Sequence, residues 1–316
     1  MNPSIFRLFR GMTFCAAAAF FLFLLAQPAP AQFVPACASF CTDTIQIIGC
    51  DQRTLGPVST AEALATNGPW RHVGQLSGGG SSSCTGTLIG PKHVLTAAHC
   101  VIDQNSQFKN GPVIFRLARY KFNECGRPYG TYSAVRVFVP SAYDGDDLSP
   151  ENKVWDYAVV ELTSEIPDAV PMAFGYLSWA TIQDLTAYSI GYPGDKDPAN
   201  SVWQTGSNND FIDSPYKYLA SGDRGLLYAT NDGALGQSGS PMYVFHNGQR
   251  VIVGVYIGTK PEECAAGRTW AARLTPGAVE RIENALIYPG GFDASLRVRN
   301  IPPAQIPANE PPANCN

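Results

Sequence analysis

Between about Pro69 and Leu274 the chain is a succession of short β-rich runs broken by turn residues, with no helical crossover joining one run to the next. Parallel neighbours need such a crossover, so the pattern confines the chain to antiparallel sheets that close on themselves. A first set of runs lies at residues 72–76, 85–89, 113–120, 134–139 and 157–162. A second set lies at residues 185–192, 226–229, 242–245 and 251–257. The expected fold is all-β: two antiparallel β-barrels, one over about 69–165 and one over about 170–275. A closing helix is expected over about 276–287, with Thr275 as its cap and Pro276 in its first turn. Val279, Ile282 and Leu286 share one face of it, expected to pack on the second barrel.

The stretch that carries chemistry is Gly236-Gln237-Ser238-Gly239-Ser240-Pro241. A hydroxyl is a poor nucleophile at neutral pH, so Ser238 needs a base and a home for the developing oxyanion. The flanking glycines allow the dihedrals of a tight turn and keep side chains away from an incoming carbonyl. The N–H groups of Gly236 and Ser238 are the candidate oxyanion donors. Alone, the hexapeptide is equally an ordinary Gly/Ser turn. A serine nucleophile also calls for a His base and a carboxylate to orient it. The chain has four histidines. His99, in Leu95-Thr96-Ala97-Ala98-His99-Cys100, ends a short apolar run and is the candidate base. His72 and His93 flank strands and His246 sits in a turn, so these read as surface or edge residues. Asp156, in Trp155-Asp156-Tyr157-Ala158, is hemmed in by apolar neighbours. A carboxylate buried there needs a donor, and a His N–H supplies one.

The order His99, Asp156, Ser238 is that of the trypsin-like serine proteases, not of the α/β-hydrolases or the subtilisins. Within that superfamily the chain resembles the secreted bacterial glutamyl endopeptidases. The resemblance is carried by Ile47-Ile48-Gly49-Cys50-Asp51-Gln52-Arg53-Thr54 and by Ile89-Gly90-Pro91-Lys92 leading into His99-Cys100. It continues through Asp156-Tyr157, Gly191-Tyr192-Pro193-Gly194-Asp195-Lys196 and the Ser238 hexapeptide, in order over about residues 47–286. It implies six strands in each barrel and acyl transfer on protein or peptide substrates by a His99–Asp156–Ser238 triad, with no cofactor and no metal. It also implies a Cys84–Cys100 disulfide, and a protease domain over about 47–290 preceded by a short pro-segment, residues 32–46. The trypsin branch pairs a new terminal Ile with an Asp just before the nucleophile, where this chain has Gln237, and the glutamyl endopeptidases lack that Asp too. The glutamyl endopeptidases read a substrate carboxylate with a His and a Thr or Ser, at positions held here by Tyr256 and Gly233. Asp232 stands where trypsin-like enzymes select Arg or Lys. The expected substrate-binding set is Asp232, Gly233, Tyr256 and Gly258, with a basic and an uncharged preference both open.

Residues 1–31 read as a secretory signal, with Arg7 and Arg10 ahead of an apolar run and Ala29-Pro30-Ala31 before the cut. A retained anchor is the competing reading, although the run is short for a span of about 20 residues. Setting aside Cys15 in the signal leaves eight of the nine cysteines, an even number suited to disulfides in an exported chain. Their spacing lacks the paired Cys/His pattern of a metal site. A net charge of −4 without a Lys/Arg cluster gives nucleic acid no electrostatic footprint. Residues 291–316 are expected to form a Pro-rich, extended tail. The resulting expectation is a secreted serine endopeptidase, extracellular or periplasmic, monomeric and without stable membrane insertion once the signal is removed. A catalytically silent protease-like binding module and an esterase are the rival classes. The complete triad counts against the first, and the lack of a histidine well beyond Ser238 against the second.

Overall fold

The computed structural model describes residues 38–301 apart from 49, 80–82, 122, 198–200, 206–210, 213–224, 259–260, 266 and 292. The expected signal, the start of the pro-segment and the tail beyond residue 301 lie outside the described residues. Six strands form the first barrel: β1 (Val73–Gly78), β2 (Ser83–Gly90), β3 (His93–Thr96), β4 (Val113–Leu117), β5 (Tyr132–Pro140) and β6 (Ala158–Leu162). Hydrogen bonds run in the order β5–β4–β1–β2–β3–β6, and β6 pairs again with β5, which closes the ring. Val73, Leu76, Leu88, Val94, Phe115, Leu117, Val137 and Val160 are fully buried in its interior.

The second sheet contains β7 (Tyr188–Gly191), β8 (Trp203–Thr205), β9 (Leu226–Ala229), β10 (Pro241–His246), β11 (Gln249–Gly258) and β12 (Thr269–Arg273). Their order is β9–β12–β11–β10–β7–β8, antiparallel throughout. Alternate residues of β9 serve two cores: Leu226 and Tyr228 join the large cluster shared with the first barrel, and Leu227 and Ala229 pack with Ile182, Met242 and Val253. A strand buried on both faces reads as an unbroken apolar run, which is how residues 226–229 stand in the sequence.

Helix α1 (Pro276–Leu286) starts as expected, with the Thr275 hydroxyl accepting from the Ala278 N–H. Its packing differs from the expectation. The helix lies against β6 of the first barrel, where Leu286 reaches Gly90, and its buried residues are Gly277, Ala278, Ile282 and Ala285. An apolar face does not say which barrel it will meet, and here the following chain decides. Strand β13 (Leu296–Asn300) pairs with β5 from Leu296↔Pro140 to Asn300↔Arg136. The folded domain therefore continues past residue 290, up to Ile301, whose N–H donates to the Val135 carbonyl at 2.8 Å.

Candidate active site

His99 sits on the short turn Ala98–Cys100 at the end of β3, and Asp156 lies just ahead of β6, the strand that pairs with β3. Asp156 is wholly buried. The His99 backbone N–H donates to its Oδ1 at 2.9 Å, and the imidazole Nδ1 lies 2.9 Å from Oδ2. Lys153 Nζ donates to the same Oδ2 at 3.2 Å. Burial pushes the Asp156 carboxyl up, but the His99 and Lys153 charges and the bonds from His99 outweigh it and hold it well below the ordinary range. A carboxylate kept ionised requires the proton on Nδ1, which leaves Nε2 as the base. The Cys84–Cys100 disulfide, with Cα atoms 6.2 Å apart, ties this turn to β2. The two sulfurs and the His99 ring lie within 4.8 Å of one another, yet sulfurs bonded to each other offer a metal no thiolate.

The Ser238 turn comes from the second sheet and is docked on the first barrel. Thr85 N–H donates to the Ser238 carbonyl at 2.8 Å, and the Thr85 hydroxyl donates to the Gly236 carbonyl at 2.8 Å. The Cys100 sulfur lies 3.7 Å from the Ser238 carbonyl oxygen, so the nucleophile turn abuts the turn that carries His99. Gly236 has φ +95° and Gly239 has φ +86°. A Cβ at Gly236 would overlap the Tyr192 carbonyl oxygen, and one at Gly239 the Thr85 carbonyl oxygen. Among the described residues the N–H groups of Gly236 and Ser238 have no hydrogen-bond partner, while the Gln237 N–H turns inward to the Ala234 carbonyl at 3.0 Å. Among the described residues the half-buried Ser238 hydroxyl has no hydrogen-bond partner. A cleft of about 420 Å³ opens beside His99, lined by Ile102, Lys109, Tyr143, Leu148, Lys153 and Ile257 among others.

The expected substrate-binding residues come together around the chain's own N-terminal segment. Residues Ile45–Ile47 form a strand against Gly233–Ala234, with Gln46 opposite Gly233. Tyr256 is buried, and its hydroxyl donates to Gln46 Oε1 at 2.8 Å. Gly258 faces the same amide, and a Cβ at Gly233 would overlap the Tyr256 hydroxyl. Asp232, the residue behind the basic alternative, faces the chain's own backbone. Its carboxylate is 2% exposed and accepts from the Ile48 and Gln52 N–H groups at 2.8 and 2.7 Å. Burial pushes it up to about 6, only partly opposed by those two bonds. The Cys41–Cys264 disulfide fastens the segment to the second-sheet side. Two of the set-aside histidines are placed otherwise than expected. His72 and His93 are buried, and burial pushes His93 down to about 4, which keeps it neutral at physiological pH.

Thr85, Lys153 and Gln46 escaped the sequence reading. Only Lys153 left a signal, three residues before an Asp expected to be buried.

A closed six-stranded barrel followed by a second antiparallel sheet is a trypsin-like scaffold, and the chain belongs to the trypsin-like peptidase domain family, whose pattern it matches over residues 84–255. It is 35% identical over 198 residues to a glutamyl endopeptidase of Bacillus licheniformis, covering 62% of this chain and 54% of that one. It is 28% identical over 204 residues to a Bacillus subtilis protein named extracellular metalloprotease, covering 62% and 57%. The chain thus spans about half the length of the curated relatives it matches. Among solved structures it superposes on a Glu endopeptidase with a TM-score of 0.59 at 26% identity, covering 76% of this chain and 98% of that one.

Proposed function

We propose that the protein is a secreted serine endopeptidase that cleaves protein or peptide chains as a monomer. The observation that carries this reading is the buried Asp156 paired with His99 beside a strained glycine turn that presents Ser238 with two unpaired N–H groups. In the proposed mechanism His99 Nε2 takes the Ser238 proton as the hydroxyl attacks the scissile carbonyl. Asp156 keeps the imidazole in the required tautomer, and the Gly236 and Ser238 N–H groups hold the oxyanion. His99 then protonates the leaving amine, and water repeats the sequence to release the acyl group. The cleft beside His99 receives the chain on the acyl side. Export is supported by the Cys41–Cys264 and Cys84–Cys100 disulfides, and no helix among the described residues is long and apolar enough to cross a membrane.

For specificity, Tyr256 with Gly233 and Gly258 frames the primary pocket, and Asp232 supports it from beneath instead of reading a basic side chain. The phenol favours a side chain that accepts a hydrogen bond, and the pocket residues supply no cation to neutralise a carboxylate. The test is a peptide-library digest by the purified, trimmed protein beside Ser238→Ala, read by mass spectrometry. Cuts that vanish in Ser238→Ala and prefer uncharged hydrogen-bond acceptors support the reading. A preference for Arg or Lys would return Asp232 to the pocket, and no cuts at all would favour a binding module.

A further inference from the structure

Two stretches carry the family resemblance and contribute no reacting atom: residues 47–54 and residues 191–196. They meet in one charge cluster gathered around the buried Arg53. The Arg53 guanidinium, 1% exposed, donates to Asp195 at 2.8 and 2.6 Å and, through Nε and Nη2, to Asp51 at 3.0 Å each. Lys196 closes the cluster on Asp51 at 2.5 Å. Two-point pairing of this kind fixes a guanidinium in orientation as well as position. Its remaining reach is to Gln237, whose Oε1 accepts from Arg53 Nη1 at 3.3 Å and from the Ala234 N–H at 3.0 Å. Gln237 is 1% exposed and stands directly before Ser238.

We propose that Arg53 is a positioning residue for the oxyanion site: clamped by Asp51 and Asp195, it holds Gln237 and so sets the turn that presents the Gly236 and Ser238 N–H groups. The proposal rests on the serine endopeptidase reading above. The geometry supplies its steps. Gln237 closes a small ring with Ala234, its side-chain carbonyl accepting the Ala234 N–H and its own N–H donating to the Ala234 carbonyl. With both polar groups of Ala234 engaged, the turn is left with Gly236 and Ser238 as its unpaired donors. The neighbouring strand is held in turn, since Gly194, next to Asp195, donates to the Leu235 carbonyl at 2.7 Å. A cation from within the chain thus stands against the residue before the nucleophile, and no new chain terminus is needed to assemble the turn.

The test uses the full exported chain and four variants: Arg53→Met, Arg53→Lys, Gln237→Met and the double variant Arg53→Met, Gln237→Met. Gln237→Met cuts the link while leaving Arg53 paired with both carboxylates, so it keeps the clamp testable if Arg53→Met folds poorly. A fluorophosphonate probe counts reactive serines and gives the labelling rate of each protein. The best peptide from the library digest, assayed with chain trimmed ahead of Ile47, gives kcat per reactive serine and KM. An oxyanion donor is worth on the order of 100- to 1,000-fold, so a misaligned pair is expected to lower both kcat and labelling rate by about 10- to 100-fold. KM is expected to stay within about threefold, Arg53→Lys to recover part of the loss, and the double variant to lose no more than the worse single one. Rates per reactive serine equal to wild type, or losses that multiply, would overturn the clamp alone. A folded wild type that neither cleaves nor labels would overturn the endopeptidase reading, and the clamp with it.

Discussion

At the scale of the residue, Asp156 is the position where burial and charge pull hardest against each other. Its carboxylate is held ionised by His99 and Lys153 in spite of complete burial. Asp156→Asn keeps the shape and removes the charge, and an amide turned toward His99 favours the tautomer with its proton on the wrong nitrogen. The expected result is a kcat loss of roughly 1,000- to 10,000-fold with KM little changed, read by steady-state kinetics on the digest's best peptide. A loss under tenfold would remove Asp156 from the triad. Asp232 makes a pH prediction of opposite sign to the usual carboxylate. Its folded value is raised to about 6 from an ordinary 3.8, so the folded protein binds more protons than the unfolded chain in that window. Its contribution to stability is therefore greatest at low pH and is lost as pH rises toward about 6. Relative to Asp232→Asn, the wild type is expected to lose melting temperature between pH 4 and pH 7, measured by scanning calorimetry. A difference that grows in favour of the wild type over that range would show that the two N–H bonds dominate. His99, Asp156 and Ser238 could be singled out as the candidate triad because one Ser turn, a short supply of histidines and one apolar-flanked Asp left few combinations. Asp232 left a basic and an uncharged preference open because a sequence position shared with other enzymes does not reveal which groups a carboxylate faces.

At the scale of the element, the N-terminal segment is what the sequence hid. Strand patterns announce themselves by period, but the pairing of Ile45–Ile47 with Gly233–Ala234 joins short pieces far apart in the chain. Neither piece has a pattern of its own, and the Cys41–Cys264 connectivity is one of many that eight cysteines allow. The segment sets up a dissociation between two activities. The proposed oxyanion donors, the Gly236 and Ser238 N–H groups, have no partner among the described residues with the segment in place, whereas Tyr256, Gly233 and Gly258 all face Gln46. A chain beginning at Gln32 is expected to react with a small fluorophosphonate within about threefold of the rate of one beginning at Ile47. It is expected to cleave peptides at least tenfold more slowly, because the side chain of Gln46 occupies what the substrate must enter. Equal peptidase rates for the two forms would show that Gln46 is part of the pocket wall and blocks nothing. After a cut ahead of Ile47, the excised piece is expected to stay attached through Cys41–Cys264 until a reductant is added, which intact mass measurement reads directly.

At the scale of the whole molecule, both ends of the described chain come back to residues around the candidate site. The N-terminal segment covers the pocket residues of the second sheet, and β13 braces the cleft on the first barrel. Two arginines do the bracing. Arg297 donates to the Ser106 and Tyr143 carbonyls at 2.9 and 2.8 Å, and Arg299 to the Phe108 and Lys109 carbonyls at 2.9 and 3.0 Å. Tyr143 and Lys109 line the cleft beside His99, so a strand far from the triad in sequence fixes the loops that meet the substrate. Bonds from a charged donor are each worth about 1.5–3 kcal/mol, but the freed carbonyls lie near solvent and recover part of that from water. The double variant Arg297→Met, Arg299→Met is therefore expected to lose about 1–3 kcal/mol in urea unfolding. KM for the digest's best peptide should rise about three- to tenfold, while kcat stays within about twofold, because His99, Asp156 and the Ser238 turn have no bond to either arginine. A fall in kcat with KM unchanged would mean that β13 acts on the triad through the barrel. Unchanged kinetics despite the stability loss would mean that the cleft loops hold their shape unaided, which would leave β13 with only its edge of β5 to protect.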